Sequence, residues 1–272
     1  MQNSKPHKAR KRFGQNFLHD QGVIQAILSA ISSNSEDHLV EIGPGQGALT
    51  EPLLQNCKKI DVVELDRDLV RLLENKFSTN SKLAIHSADA LFFDFGELCK
   101  GDDKIRVIGN LPYNISTPLM FHLLEGRAAI KDMHFMLQKE VVDRMQAQPG
   151  NKHYGKLSIM LQYHCHVEKL FDVPPECFDP APKVVSAIVR LIPHKKPPIE
   201  TENPELFSRI VTQAFSQRRK TLRNSLSGLF SAEQLTAQNI DPKLRAENLS
   251  IAEFVKLSND LSQRKSAANQ KT

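Results

Sequence analysis

Apolar residues recur along the chain in two alternating rhythms. Val23, Ile24, Ile27, Leu28 and Ile31 fall at helical spacing and predict a helix from the early twenties to the early thirties. The stretch 38–42 is short and apolar and runs into glycines, as a buried strand would. A helix over 48–54, a strand over 60–65, a helix over 69–77 and strands over 83–85 and 105–108 follow in turn. This alternation predicts an α/β domain, a parallel sheet covered by helices on both faces. Past Met133 the rhythm changes. Strands are expected over 133–137, 167–171 and 184–192, with a helix over 155–163. A closing hairpin-like pair would set an antiparallel strand on one edge of the sheet. The proline-rich stretch 193–198 reads as a linker. Beyond it the pattern predicts helices over 206–216, 221–230, 232–238 and 251–261, and no strand. The expected organisation is one domain over 1–198 and a small all-helical domain over 199–272.

Composition narrows the class. Of 272 residues 40% are hydrophobic, enough for an ordinary core. The net charge of +5 is modest but uneven. Lys5, Lys8, Arg10, Lys11 and Arg12 crowd the N-terminus, and Arg218, Arg219, Lys220 and Arg223 crowd one later segment. Such clusters suit a polyanion, although a solvated helix face would look the same. Cys57, Cys99, Cys165 and Cys177 form no paired motif, which points to reduced thiols in a cytoplasmic protein. The triplet His164-Cys165-His166 lies in an apolar stretch whose alternate residues face opposite ways, so it is read as structural and no metal is expected. No apolar run is long enough for a membrane helix, and the basic N-terminus leads into 13–17 without an apolar signal region.

Candidate chemistry sits at the ends of the predicted strands. Gly43-Pro-Gly45-Gln-Gly47 follows a strand and opens a helix, with Glu41 just before it. Glycines there permit a tight turn and close approach to a ligand, though a plain turn could use them too. Glu64 closes the second strand, where an acid can accept from both hydroxyls of a ribose. Asp89 follows the third strand and can accept from an adenine amino group. Either acid could instead cap the next helix, but Asp66 and Asp68 would cap as well as Glu64. Together the three positions describe a crevice for an adenosine without a required phosphate. A dinucleotide dehydrogenase would need G-x-G-x-x-G, which is missing.

The fourth strand runs into Asn110-Leu111-Pro112-Tyr113. An exocyclic adenine amine is a poor nucleophile, because its lone pair is delocalised into the ring. The Asn110 side-chain oxygen and the Leu111 carbonyl can accept its two hydrogens and favour a tetrahedral nitrogen. Pro112 stiffens the turn, and Tyr113 offers a ring for the base to stack on. A capped strand-to-helix turn is the bland alternative, and the cofactor acids upstream weigh against it.

These residues resemble a known family. Arg12-Phe-Gly-Gln-Asn-Phe-Leu18, Glu41-Ile-Gly-Pro-Gly-Gln-Gly47, Glu64-Leu-Asp66, Asp89-Ala90 and Asn110-Leu-Pro-Tyr113 look like the ordered motifs of rRNA adenine N6-dimethyltransferases. Phe178-Asp-Pro-Ala-Pro-Lys-Val184 and Gln217-Arg-Arg-Lys-Thr-Leu-Arg223 extend the likeness, which is greatest to the bacterial small-subunit enzymes. Val185, where many relatives carry a polar residue, is a mild departure. The resemblance implies a Rossmann-like class I methyltransferase sheet with a helical C-terminal domain, and S-adenosylmethionine as methyl donor. It implies that Asn16, Leu18, Gly43, Glu64, Asp89 and Asn110 bind that cofactor. Asn110, Leu111, Pro112 and Tyr113 would act on the target amine, with Phe178 covering the second face of the base, unless Phe178 is simply core. The implied substrate is two adjacent adenosines in a hairpin loop near the 3′ end of 16S rRNA, dimethylated by a monomer acting on the immature small ribosomal subunit during ribosome biogenesis. Arg218, Arg219, Lys220 and Arg223 would hold phosphates, with 8–12, Lys152 and Lys156 along the same groove. The nearest alternative is a large-subunit (23S) rRNA adenine N6-methyltransferase of the macrolide-resistance type. A non-enzymatic RNA-binding assembly factor is a further class.

Overall fold

A computed structural model describes residues 9–10, 14–99, 101, 103–112 and 114–269. The strands are β1 (Phe17–Leu18), β2 (His38–Ile42), β3 (Lys59–Glu64), β4 (Leu83–Ser87), β5 (Ile105–Asn110), β6 (Ile130–Gln138), β7 (Cys165–Val173), β8 (Phe178–Asp179) and β9 (Ser186–Pro193). The helices are α1 (Gln21–Ile31), α2 (Thr50–Leu53), α3 (Arg67–Lys76), α4 (Ser116–Glu125), α5 (Lys139–Met145), α6 (Lys156–His164), α7 (Pro204–Ala214), α8 (Leu222–Ser225), α9 (Ala232–Ala237) and α10 (Ile251–Asn269).

The chain divides into two compact units, 1–142 with 167–193 and 143–166 with 194–272. The second unit thus takes in a segment ahead of residue 166, whereas the sequence pattern suggests one crossing near 198. In the first unit a seven-stranded sheet runs in the order β4-β3-β2-β5-β6-β9-β7. Strands β3, β4, β5 and β6 are parallel to their neighbours around β2, and β9 is antiparallel to β6. The expected antiparallel strand is therefore present but inserted between β6 and β7, one place in from the edge. Its apolar run Ala187–Leu191, buried except for a half-buried Arg190, is the physical reason, since a central strand is covered on both faces.

The order reverses beside β2: β3 and β4 extend the sheet one way, β5 and β6 the other. Open α/β sheets leave a crevice at such a switch point, beyond the carboxyl ends of the strands. Here those ends are Ile42 and Asn110. One core layer joins Ile24, Ile27 and Ile31 of α1 to Leu39, Ile60, Val62 and Ile108 of the sheet. Across the neighbouring strands, Asp61 on β3 bonds His38 of β2 and His86 of β4, and Lys59 lies 2.8 Å away. Those partners hold its carboxyl well below the usual range despite burial.

Two helices are shorter than their patterns suggest. The apolar run at 48–54 gives α2 and a 3-10 turn over Leu54–Asn56, and that at 221–230 gives only α8. Serines and Gly228 follow α8, and these favour turns over helix propagation. The opposite holds at α4, which the sequence pattern missed. Pro118 disguises it, but a proline in the first helical turn removes no intrahelical bond.

In the second unit, α7 packs with α10 and α6, and the rings of Tyr163 and Phe207 lie 4.5 Å apart. Asn203 caps α7 by accepting from the Leu206 N–H, and Pro204 begins it.

Candidate functional site

The crevice is built first from backbone. Gly43, Gly45 and Gly47 have φ of 66°, 58° and 83°, a left-handed path costly for other residues. A side chain at Gly45 would stand 3.2 Å from the Phe17 ring. The loop is thus both turned and closely covered. On the other lip, a Cβ at Gly109 would lie 2.5 Å from the Ile42 carbonyl, so β2 and β5 meet there at a distance that admits no methyl group.

Three carboxyls line the resulting cavity of about 560 Å³. Glu64 is buried at the end of β3, where its two oxygens accept from the Asp66 N–H at 2.8 Å and the Gly45 N–H at 3.4 Å. Burial nevertheless pushes its pKa up. Glu41 is 2% exposed and accepts from the Thr50 hydroxyl at 2.6 Å. Burial, with Glu64 nearby, pushes it up to about 7. Asp89 accepts from the Leu91 N–H at 2.9 Å. The α3 cap is Asp66, which accepts from the Asp68 N–H, so Glu64 is not spent on capping.

The mouth is crossed by Gly14–Leu18. The Asn110 amide donates to the Asn16 carbonyl at 3.1 Å. β1 pairs with β8, Leu18 opposite Phe178. Leu111 is buried, and its N–H donates to the Met136 carbonyl, fixing the turn after β5 to β6. The Pro112 carbonyl accepts from the Ile115 N–H at the start of α4.

Comparison with known proteins shows the family of the chain. A family model described as Ribosomal RNA adenine dimethylase matches residues 6–263. The chain belongs to the ribosomal RNA adenine dimethylase family. As a member of that family it is a methyltransferase. The Ribosomal RNA small subunit methyltransferase A of Pseudomonas aeruginosa is 58% identical over 94% of this chain and 96% of its own length. The protein of the same name from Saccharophagus degradans is 56% identical over 94% and 95%. Among solved structures, a dimethyladenosine transferase from Plasmodium falciparum is 28% identical with a TM-score of 0.77, covering 92% of this chain and 98% of that one. The 23S rRNA methyltransferase ErmE shares the fold, with a TM-score of 0.71 at 23% identity over 91% and 100%.

In this dimethylase-family chain, Asn16, Leu18, Gly43, Glu64, Asp89, Asn110, Leu111 and Pro112 all line the one cavity. Phe178 does not. It is 4% exposed and packed in the core with Leu18, Val173 and Ile188. Tyr113 lies outside the described residues, as do Lys8, Lys11 and Arg12. Sequence reasoning gave no role to Glu41, Leu65, Ala90 or Ile115, which also line the cavity. Leu65 is half-exposed there, a signal that sequence does not carry. In the second unit Arg219, Lys220 and Arg223 are exposed. Arg218 bonds the Lys152 carbonyl and sits 3.6 Å from Glu247. Among the described residues no cluster of three His, Cys, Asp or Glu could hold a metal ion, and no helix is long and apolar enough to cross a membrane.

Proposed function

We propose that this chain dimethylates the N6 amino groups of two adjacent adenosines in a hairpin loop near the 3′ end of 16S rRNA, using S-adenosylmethionine. The substrate is the immature small ribosomal subunit, and the enzyme acts as a cytoplasmic monomer in ribosome biogenesis. The names of the relatives support the substrate class. The observation that carries the chemistry is the joining of Glu64 and Asp89 with Asn110 around one cavity at the switch point.

The donor set suits the cofactor. The cavity is within the range of small-molecule sites. The Glu64 carboxylate has about four acceptor positions, of which the Asp66, Gly45 and Leu65 N–H groups take up to three, and the remaining capacity is open to a ribose hydroxyl. Asp89 retains capacity for an adenine amine, and Gly43 lets backbone approach the methionine part. Asn16 and Leu18 close over that part from the mouth. When bound, the cofactor supplies an electrophilic methyl group.

The chain's own residues supply placement. The Asn110 amide nitrogen is committed to the Asn16 carbonyl, which turns the side-chain oxygen toward the task of accepting from the target amine. The Leu111 carbonyl accepts the second amine hydrogen, while its N–H is anchored on β6. Together they favour a pyramidal, nucleophilic nitrogen. Rate then comes from positioning and fixed dipoles, with no strong base required. Tyr113 stacks on the flipped base, and Phe178 supports Leu18 from the core or covers the base after a rearrangement of its ring. The first compact unit holds the chemistry, and the second, which includes 199–272, contacts RNA.

The test is to incubate the protein and cofactor with immature small subunits and, separately, with naked large-subunit rRNA, then map N6,N6-dimethyladenosine. Dimethylation of two neighbouring adenosines in small-subunit RNA is expected. Modification of large-subunit RNA alone overturns the assignment.

A further inference from the structure

Outside the reacting centre, a compact knot of side chains ties the mouth of the cavity to its wall. Asp66 is 1% exposed, at the start of α3. Its Oδ1 accepts from the Arg10 guanidinium at 2.8 Å, and its Oδ2 accepts from the Gln15 side-chain amide at 3.0 Å. The other guanidinium nitrogen of Arg10 donates to Asp68. The backbone N–H of Arg10 donates to the side-chain carbonyl oxygen of Gln15 at 2.8 Å, closing the ring of contacts. Asp66 also turns inward, since its backbone N–H fixes one Glu64 oxygen.

The consequences follow from connectivity. Gln15 directly precedes Asn16, Phe17 and Leu18, which cover the cavity, and it lines the cavity itself. Asp66 directly follows Leu65 and holds Glu64, which form the opposite wall. The Arg10 guanidinium therefore grips the wall through Asp66 and Asp68, while the Arg10 backbone N–H and Asp66 together hold the strap through the Gln15 side chain. A guanidinium can bridge two carboxylates from two residues through separate nitrogens, and an ammonium at the same place has no such fork.

We propose that Arg10 is a positioning residue for the methyl-donor site, a latch that holds the Gln15–Leu18 strap closed over the cavity by clamping Asp66 and Asp68. This rests on the reading of the cavity as the S-adenosylmethionine site. A strap released from its anchor opens more readily over a bound ligand, so the loss is expected mainly in the dissociation rate. The Asp68 half is half-exposed and weakens with salt, whereas the Asp66 half is shielded.

S-adenosylmethionine affinity and dissociation rate are measured by calorimetry and stopped flow for the full-length wild type, Arg10→Ala, Arg10→Lys, Asp68→Asn and the Arg10→Ala/Asp68→Asn double variant. The expected result is dissociation about tenfold faster in Arg10→Ala. Smaller increases are expected in Arg10→Lys and Asp68→Asn, and no further increase in the double variant. Loss of catalytic efficiency falls mainly in the KM for the cofactor rather than in kcat. A merely structural role predicts instead a loss that tracks the cofactor-free melting temperature, with Arg10→Lys restoring wild-type binding. Wild-type binding with an unchanged dissociation rate in Arg10→Ala and Asp68→Asn overturns the latch alone. Absence of wild-type binding overturns the cofactor reading and the latch with it. Should Arg10→Ala not fold, Arg10→Lys and Asp68→Asn decide the matter, since each keeps Asp66 and the cap of α3 intact.

Discussion

Asn110 divides its amide between two tasks. The nitrogen end donates to the Asn16 carbonyl, and in the proposed mechanism the oxygen end accepts a hydrogen of the target amine. Alanine there removes the acceptor and loosens the strap at once. Asn110→Ala is expected to lower methyl transfer by about 10²- to 10³-fold, the scale of losing one preorganised transition-state hydrogen bond. RNA affinity should stay near wild type, because phosphate contacts carry it. Paired methyl-transfer and filter-binding assays check both halves. Glu41 makes a different prediction. Its folded pKa of about 7 lies above its ordinary 4.5, so between those values the unfolded chain releases a proton that the folded chain keeps. Stability therefore falls as pH rises through this window. A glutamine side chain in its place would keep an acceptor for the Thr50 hydroxyl without ionising. Glu41→Gln is expected to stabilise the cofactor-free protein at pH 8 by up to about 3 kcal/mol, and far less at pH 5. Urea titrations at the two pH values measure the difference. At this scale the sequence was readable where the cavity lining coincides with short motifs, as at Gly43 and Asn110–Pro112. It read Arg10 only as one cation of a phosphate-binding cluster, because its partner Asp66 is 56 positions away and comes near only through folding.

The strand ends place these residues, and the spacing between β2 and β5 sets how they meet. Gly109 shows the constraint most directly, because the clash it avoids is with the Ile42 backbone and no rotamer can relieve it. Gly109→Ala must push the two strands apart at the switch point. An overpacking cost of about 1–3 kcal/mol is expected in urea denaturation, accompanied by weaker S-adenosylmethionine binding by calorimetry. Loss of stability with unchanged binding would show that the crevice tolerates wider strands. The parallel half of the sheet was legible because each strand is a short apolar run followed by a helix. The position of β9 was not. A run of buried residues identifies a central strand without naming its neighbours, and the pairing with β6 joins positions far apart in the chain, such as Met133 with Leu191. Helix α4 was hidden for the opposite reason, since Pro118 reads as a breaker until its place in the first turn is known.

At the scale of the whole chain, two compact units share the work that one substrate demands. An RNA target brings a dense row of phosphates, and in the proposed function the first unit's cavity takes an adenosine and an amine. Phosphate affinity is therefore assigned to cations elsewhere, and Arg219, Lys220 and Arg223 of the second unit are exposed for it. Arg218 differs, because it is engaged by the Lys152 carbonyl and faces Glu247, so its removal would confound binding with local structure. The informative variant is thus the triple Arg219→Ala/Lys220→Ala/Arg223→Ala. Each cation–phosphate pair removed should flatten the dependence of log affinity on log salt by about 0.7 to 1. The triple variant is expected to bind rRNA more weakly at low salt, with a shallower slope, and to approach wild type as salt rises. Its S-adenosylmethionine affinity should match wild type, since none of the three lines the cavity. Filter binding across a salt series checks the first claim and calorimetry the second. An unchanged slope would move the RNA-binding surface to other cations, and the helical unit would then need a different role.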